Sequence, residues 1–188
     1  MRLLSAALAA LLLSAAPVSA LTVEGQNFDP AVTMDGQSLK LVGAGLREKW
    51  FMNVYAMGAY SASGACDAGA LVRADEPKML RIKMLRDVSG AKMAATIGEA
   101  FDEHMPKDAS AALKASRAKF QGYFTDECTK GTTIEFFYEP GQGTTYRHNG
   151  KSMGSIPGAD FARVLWDIYF GGNSCCGGLK AGILKCGK

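Results

Sequence analysis

The chain has 188 residues, of which 48% are hydrophobic, and a formal net charge of +3. That length suits a single domain with a real core. The lysines and arginines are scattered rather than gathered into a stripe, so nucleic acid is not expected as a partner.

The first twenty residues read as a signal peptide. Arg2 precedes the apolar run LLSAALAALLLSAAPVSA, which ends in the small-residue pattern Val18-Ser19-Ala20. Cleavage is expected after Ala20, leaving a domain over 21–188. The apolar run is too short to span a bilayer comfortably. No cysteine follows it to carry a lipid, and no later segment is long and apolar enough to cross. The expectation is a periplasmic or secreted protein with no stable membrane anchor.

The segment LTVEGQNFDP predicts a strand ending near Pro30. Asp35-Gly36 marks a turn, after which Leu39 and Leu41 alternate. Gly43-Ala44-Gly45 reads as a small-residue turn before Arg47, and a strand is expected over 49–61. Residues 66–74 suggest a short helix. In KMLRIKML, 78–85, Leu80, Ile82 and Met84 share one face of a strand. Ser89 is a candidate N-cap for a helix carrying Met93, Ile97 and Phe101. Pro106 ends that pattern. Asp108 is the candidate cap of a second helix with Leu113, Phe120 and Phe124 on its apolar face. The stretch from Thr132 to Ile156 reads as a three-stranded meander with turns at 140–143 and at Asn149-Gly150. A helix opened by Asp160 carries Phe161, Val164, Leu165 and Ile168 and stops at Gly171-Gly172. A short helix near 179–185 closes the chain. This order predicts an α+β domain: a large antiparallel sheet covered on one face by a layer of helices.

Five cysteines in an oxidising compartment should mostly pair, with one thiol left over. Adjacent Cys175 and Cys176 rarely bond each other. The favoured pairing is Cys66–Cys128, with Cys175 or Cys176 joined to Cys186. The cysteine spacing matches no zinc pattern and both histidines lie elsewhere, so neither a metal nor another cofactor is expected.

The stretch GAGLREKWFMNVYAMGAY, 43–60, resembles the chalcone isomerase-like family, particularly its bacterial secreted branch. PKMLRIKMLRDVSGAKM, GTTIEFFYEPGQGTTYRHNGK and FARVLWDIYFGG follow in that family's order. The resemblance implies an open-faced β-sandwich, with a ligand cleft between sheet and helices. It also implies one of two functions: ring closure of a chalcone, or binding of fatty acids. Arg47 matches the arginine that holds the phenolate and the developing enolate in the true isomerases. A guanidinium stays charged and offers several donors to an oxyanion. Tyr55 falls where those enzymes carry a threonine. Their tyrosine at the start of the first helix corresponds to Lys92 or Met93 here, and their asparagine two turns later to Glu99 or Ala100. Their hydroxyl residue on the last long helix corresponds to Asp167 or Ile168. With that company gone, chalcone cyclisation is not the expected reaction.

Strand parity places Asn53, Tyr55 and Met57 on one face, shared with Arg47, and Met52, Val54 and Ala56 on the other. The mixed face suits a cleft of hydrocarbon with a few converging polar groups. The candidate ligand-binding residues are therefore Arg47, Tyr55 and Asn53, and the ligand class is a fatty acid or similar amphipathic carboxylate. The rival reading is an isomerase (intramolecular lyase) for a conjugated carbonyl compound, with Arg47 steadying the oxyanion and a base drawn from Lys92, Glu99 or Asp167. A third is an envelope accessory protein that binds no small molecule. The plainest role for Arg47 is an ion pair with Glu48 or Asp87. Oligomeric state is not legible.

Overall fold

The computed structural model describes residues 20–186. The expected signal peptide, but for Ala20, lies outside them. A two-stranded hairpin comes first, β1 (Leu21–Val23) and β2 (Gln26–Phe28). The single strand expected over 21–30 is thus folded back at Glu24-Gly25, where both residues have positive φ. The main sheet is an antiparallel meander of β3 (Ala31–Met34), β4 (Gln37–Lys49), β5 (Met52–Ser61), β6 (Lys78–Met84), β7 (Thr133–Glu139), β8 (Gly143–His148) and β9 (Lys151–Ile156). Its spatial order is its chain order. Helix α1 (Ala68–Arg73) follows β5. The pair α2 (Gly90–His104) and α3 (Ala111–Gln121) lies between β6 and β7. After β9 come α4 (Ala159–Phe170) and α5 (Gly177–Ile183). This is the expected α+β architecture, with a large antiparallel sheet carrying helices on one face.

The turns follow their chemistry. Asp35-Gly36 and Asn149-Gly150 take the paired positive φ of tight hairpins. Ser89 caps α2 by accepting from the Lys92 amide. Ser110, not Asp108, caps α3, accepting from Leu113. No side chain caps α4: its N-cap is Gly158, and Asp160 lies inside the first turn.

The segment around Arg47 departs most from expectation. Gly43-Ala44-Gly45 is not a turn but the middle of β4, and the chain reverses later, at Trp50-Phe51. Lys49 pairs with Met52 across that two-residue turn. Trp50 (φ 63°) and Phe51 (φ 112°) both hold left-handed backbone, usually the place of Asn and Gly. Large side chains pay roughly 1–3 kcal/mol each for such conformations. The apolar run misled because its turn carries none of the usual turn residues.

The two β4 glycines have a different purpose. A β-carbon on Gly43 would overlap the carbonyl oxygen of Ile183, and one on Gly45 that of Leu179. Their bare backbone lets α5 lie directly on the strand. Gly58 makes no bulge: the ladder runs unbroken through it, and its open side receives the Phe28 ring.

The main core lies between sheet and helices. Leu80, Ile82 and Met84 meet Phe101, Phe120, Phe161 and Leu165 there, and the Phe101 and Phe161 rings stack at 4.9 Å. A smaller core on the other face joins Phe28, Met34, Leu39, Ala56, Tyr60, Met79 and Phe137, with Leu21 and Val23 packed on it. The β1–β2 hairpin thus shields part of the face that the helices leave open. Lys78 is buried at the edge of the helical layer. Its ammonium donates to the carbonyls of Leu71 and Ala74 at the end of α1 and sits 4.9 Å from the Trp166 ring.

The disulfides correct the expected pairing. Cys66 bonds Cys186, with Cα atoms 5.9 Å apart, and adjacent Cys175 and Cys176 bond each other. Cys128 is the buried free thiol. The reason lies in the ends of β6. Cys66 precedes that strand and Cys128 follows it, bridging Val88. Seven extended residues separate the two ends by roughly 20 Å, far beyond the reach of a disulfide.

Candidate functional site

Arg47 and Tyr55 stand directly opposite each other on β4 and β5. They share a face through cross-strand pairing, not through parity along one strand. A bulge at Val54 sets the arrangement: Asn53 pairs with Glu48 and Tyr55 with Arg47, leaving Val54 extra. The bulge reverses the parity read from sequence. Met52, Val54 and Tyr55 line one cavity, while Asn53 lies outside it and donates to the Glu24 carboxylate at 2.9 Å. Asn53 therefore does not share the cavity wall with Arg47 and Tyr55, contrary to the expected face.

The cavity holds about 240 Å³ between sheet and helices. Its walls are largely hydrocarbon: Val54 and Ile82 from the sheet, Met93 and Ile97 from α2, Phe124 after α3, and Ile168 from α4. Of the methionines, Met52 and Met93 line it, Met57 and Met84 belong to the main core, and Met79 to the opposite core. Among the described residues, every charged side chain on the wall is a cation: Arg47, Lys49, Arg86 and Lys92. A depression of about 320 Å³ also lies where β1 and α5 flank β4, but it is lined chiefly by small and aliphatic residues, with only Glu48 and Lys185 charged. Converging polar groups make the first cavity the candidate site.

Arg47 is half-buried and donates from Nη1 to the Glu48 carbonyl oxygen at 3.1 Å. Neither Glu48 nor Asp87 offers it a carboxylate; the Asp87 carboxylate instead accepts from the Lys130 amide. Among the described residues Arg47 has no ion-pair partner.

Tyr169 is the residue that the sequence reading missed. It comes from α4, lines the same cavity and is buried. Burial pushes the Tyr55 hydroxyl up, and the Arg47 charge and the partner hydroxyl of Tyr169 act against this. Burial raises Tyr169 well above the usual range; the neighbouring Tyr55 adds to that and Arg47 opposes it. Both phenols therefore stay neutral, able to donate hydrogen bonds beside a fixed cation. Asp167 faces the other way and pairs with His104 at 2.9 Å. Of the three candidate bases, only Lys92 reaches the cavity wall. Cys175 and Cys176 also line it, so the adjacent disulfide forms part of the wall.

A curled seven-stranded meander under helices, with its cleft between the layers, defines an open-faced β-sandwich of the chalcone isomerase type. The family comparison agrees: residues 20–185 match the chalcone isomerase-like family, and the chain belongs to it. Among solved structures it is similar to a fatty-acid binding protein of Arabidopsis thaliana, with a TM-score of 0.74 and 16% identity. That likeness covers 90% of this chain and 97% of the plant chain. At such identity it speaks for the fold alone. The comparison with curated proteins finds no significant match.

Proposed function

We propose that the protein is exported and binds a fatty acid or similar amphipathic carboxylate in the cavity between sheet and helices. The observation that carries this reading is the charge on the wall: among the described residues it has four cations and no carboxylate, and Arg47 has no ion-pair partner at the edge of a hydrocarbon cavity. Arg47 receives the carboxylate through its guanidinium fork, and Tyr55 and Tyr169 donate to the same group. The alkyl chain lies against Val54, Ile82, Ile97 and Ile168. The fatty-acid binding described for the plant neighbour is consistent with this reading.

Chalcone cyclisation is not part of the proposal. Lys92 or Met93, and Glu99 or Ala100, stand where the isomerases carry their tyrosine and asparagine. A second reading keeps one specific support. A neutral tyrosine pair beside a guanidinium could stabilise an enolate oxyanion, with Lys92 as the basic group on the same wall. The deciding experiment is mass spectrometry of molecules extracted from native protein, followed by calorimetric titration of the delipidated protein with a long-chain carboxylate and the matching alcohol. Co-purified long-chain acids and a preference for the acid support the binding reading. Equal affinity for acid and alcohol overturns it.

A further inference from the structure

Beside the mouth of the cavity, the chain exposes large apolar side chains where a hairpin would ordinarily be polar. Trp50 is 78% exposed and Phe51 fully exposed, at the tip of the β4–β5 turn. Met52, 46% exposed, continues the tip into the cavity wall. Both turn residues hold left-handed backbone that Asn-Gly would adopt with less strain. The protein thus accepts backbone strain and wet aromatic surface at one place, and nothing within the described chain covers them. Around that tip stand Lys49, its immediate neighbour, and Arg86, whose Nη1 lies 2.6 Å from Met52 Sδ. Arg47 and Lys92 complete a cationic rim around the same opening.

We propose that the Trp50–Met52 tip inserts shallowly into the surface of an anionic phospholipid bilayer, seating the cavity mouth against the lipid. Tryptophan and phenylalanine favour the interfacial zone, and a rim of lysine and arginine complements phosphate headgroups lying above it. Shallow insertion needs no crossing segment; among the described residues no helix is long and apolar enough to span a membrane. The geometry lets a long-chain acid pass between bilayer and cavity without its hydrocarbon crossing open water. That purpose rests on the binding reading above, but the docking itself does not.

The test uses delipidated protein and two vesicle preparations, phosphatidylcholine alone and phosphatidylcholine mixed with phosphatidylglycerol. Trp166 is fully buried, so Trp50 reports the contact. The expected result is co-sedimentation with the anionic vesicles, a blue shift of tryptophan emission and release by high salt. The double variant Trp50→Asn, Phe51→Gly suits the turn, so it should fold with an unchanged or higher Tm. It should bind vesicles roughly tenfold more weakly or worse, as expected for losing two inserted aromatic side chains. It should keep its affinity for a long-chain carboxylate in solution, because neither residue lines the cavity. Vesicle binding without carboxylate binding would sink the binding reading and leave docking standing. Absence of vesicle binding, or equal binding by the variant, overturns the docking proposal. So does wild-type self-association that the variant abolishes, which would assign the tip to a second copy of the chain.

Discussion

Arg47 and Tyr55 face one another across adjacent antiparallel strands, and a bulge at Val54 turns both toward the cavity. If Arg47 receives a carboxylate, Arg47→Ala should weaken binding of a long-chain acid by roughly 2–5 kcal/mol, as for one partner lost from a buried charge pair. The matching alcohol should bind nearly as before. Arg47→Lys should recover only part of the loss, because an ammonium lacks the planar fork. The fold should survive, since Arg47 is half-buried and holds no ion pair among the described residues. Calorimetric titration of the three proteins checks this, and unchanged acid affinity in Arg47→Ala would return the arginine to a structural role.

Tyr55 and Tyr169 are expected to act as neutral donors. Tyr169→Phe removes one hydroxyl and little volume, so it should cost about 1.5–3 kcal/mol of carboxylate affinity, the range for hydrogen bonds to a charged group. Burial raises both phenols, so their protons are retained above the ordinary tyrosine range. Acid affinity should therefore not fall through tyrosine ionisation as pH rises from neutral to about 10. Titration across that window, with ultraviolet absorbance to follow phenolate formation, tests the point. A decline that tracks phenolate absorbance near pH 9 would contradict it.

The close approach of α5 to β4 depends on two missing side chains. Gly43→Ala and Gly45→Ala each drive a methyl group into a backbone carbonyl that no rotamer change can move. Each should lower stability by roughly 1–3 kcal/mol. Gly131, whose β-carbon would meet open space, is a useful contrast: its positive φ allows only a strain cost on substitution. Denaturant unfolding of the three alanine variants separates overlap from strain. Equal stability of wild type and Gly45→Ala would mean that α5 does not seat there.

Non-reducing peptide mapping should return Cys66 joined to Cys186, Cys175 joined to Cys176, and Cys128 as the single thiol. Cys128 should react slowly with alkylating reagents in the native state, because it is buried and burial raises its pKa. Loss of the Cys66–Cys186 bond, which closes a separation of 120 residues, should cost roughly 4–5 kcal/mol on the chain-entropy account. Paired Cys66→Ser and Cys186→Ser substitutions measure that directly, and a Cys66–Cys128 peptide in the map would refute the connectivity.

Much of the sheet was legible because its signals are local. Alternation marked β6, Asp35-Gly36 and Asn149-Gly150 marked hairpins, and Ser89 marked the start of α2. The hairpin between β4 and β5 was not legible, because Trp50 and Phe51 occupy backbone that favours Asn and Gly. Arg47 and Tyr55 do line one cavity, as the resemblance led one to expect, yet the parity used to join them was undone by a bulge that no residue type announces. Asn53 was misplaced for the same reason. Tyr169 was missed because matching by family position pointed to Asp167 or Ile168. The i, i+4 spacing of Phe161, Leu165 and Tyr169 carried the signal, since it continues the buried stripe of α4 into the cavity. The disulfides were misjudged because connectivity is a distance in space, and spacing along the chain does not encode it.

The sheet's plain strand order bears on how the chain assembles. Each strand from β3 to β9 pairs with its neighbour in sequence, and the β3–β5 and β7–β9 segments can form from local hairpins at low loop-closure entropy, whereas β6 joins β7 only across the α2–α3 pair. The seating of α5 on β4 is different, because it joins segments more than 130 positions apart and needs the sheet beneath it. That contact should form late, and the Cys66–Cys186 bond, which fastens the same end, later still. Pulsed amide exchange during refolding should then show the β3–β5 and β7–β9 hairpins protected before Leu179–Ile183, and an early-protected α5 would reverse the order. A covalent clasp that closes only on a finished sheet secures the native arrangement once formed, while leaving the earlier search unhindered.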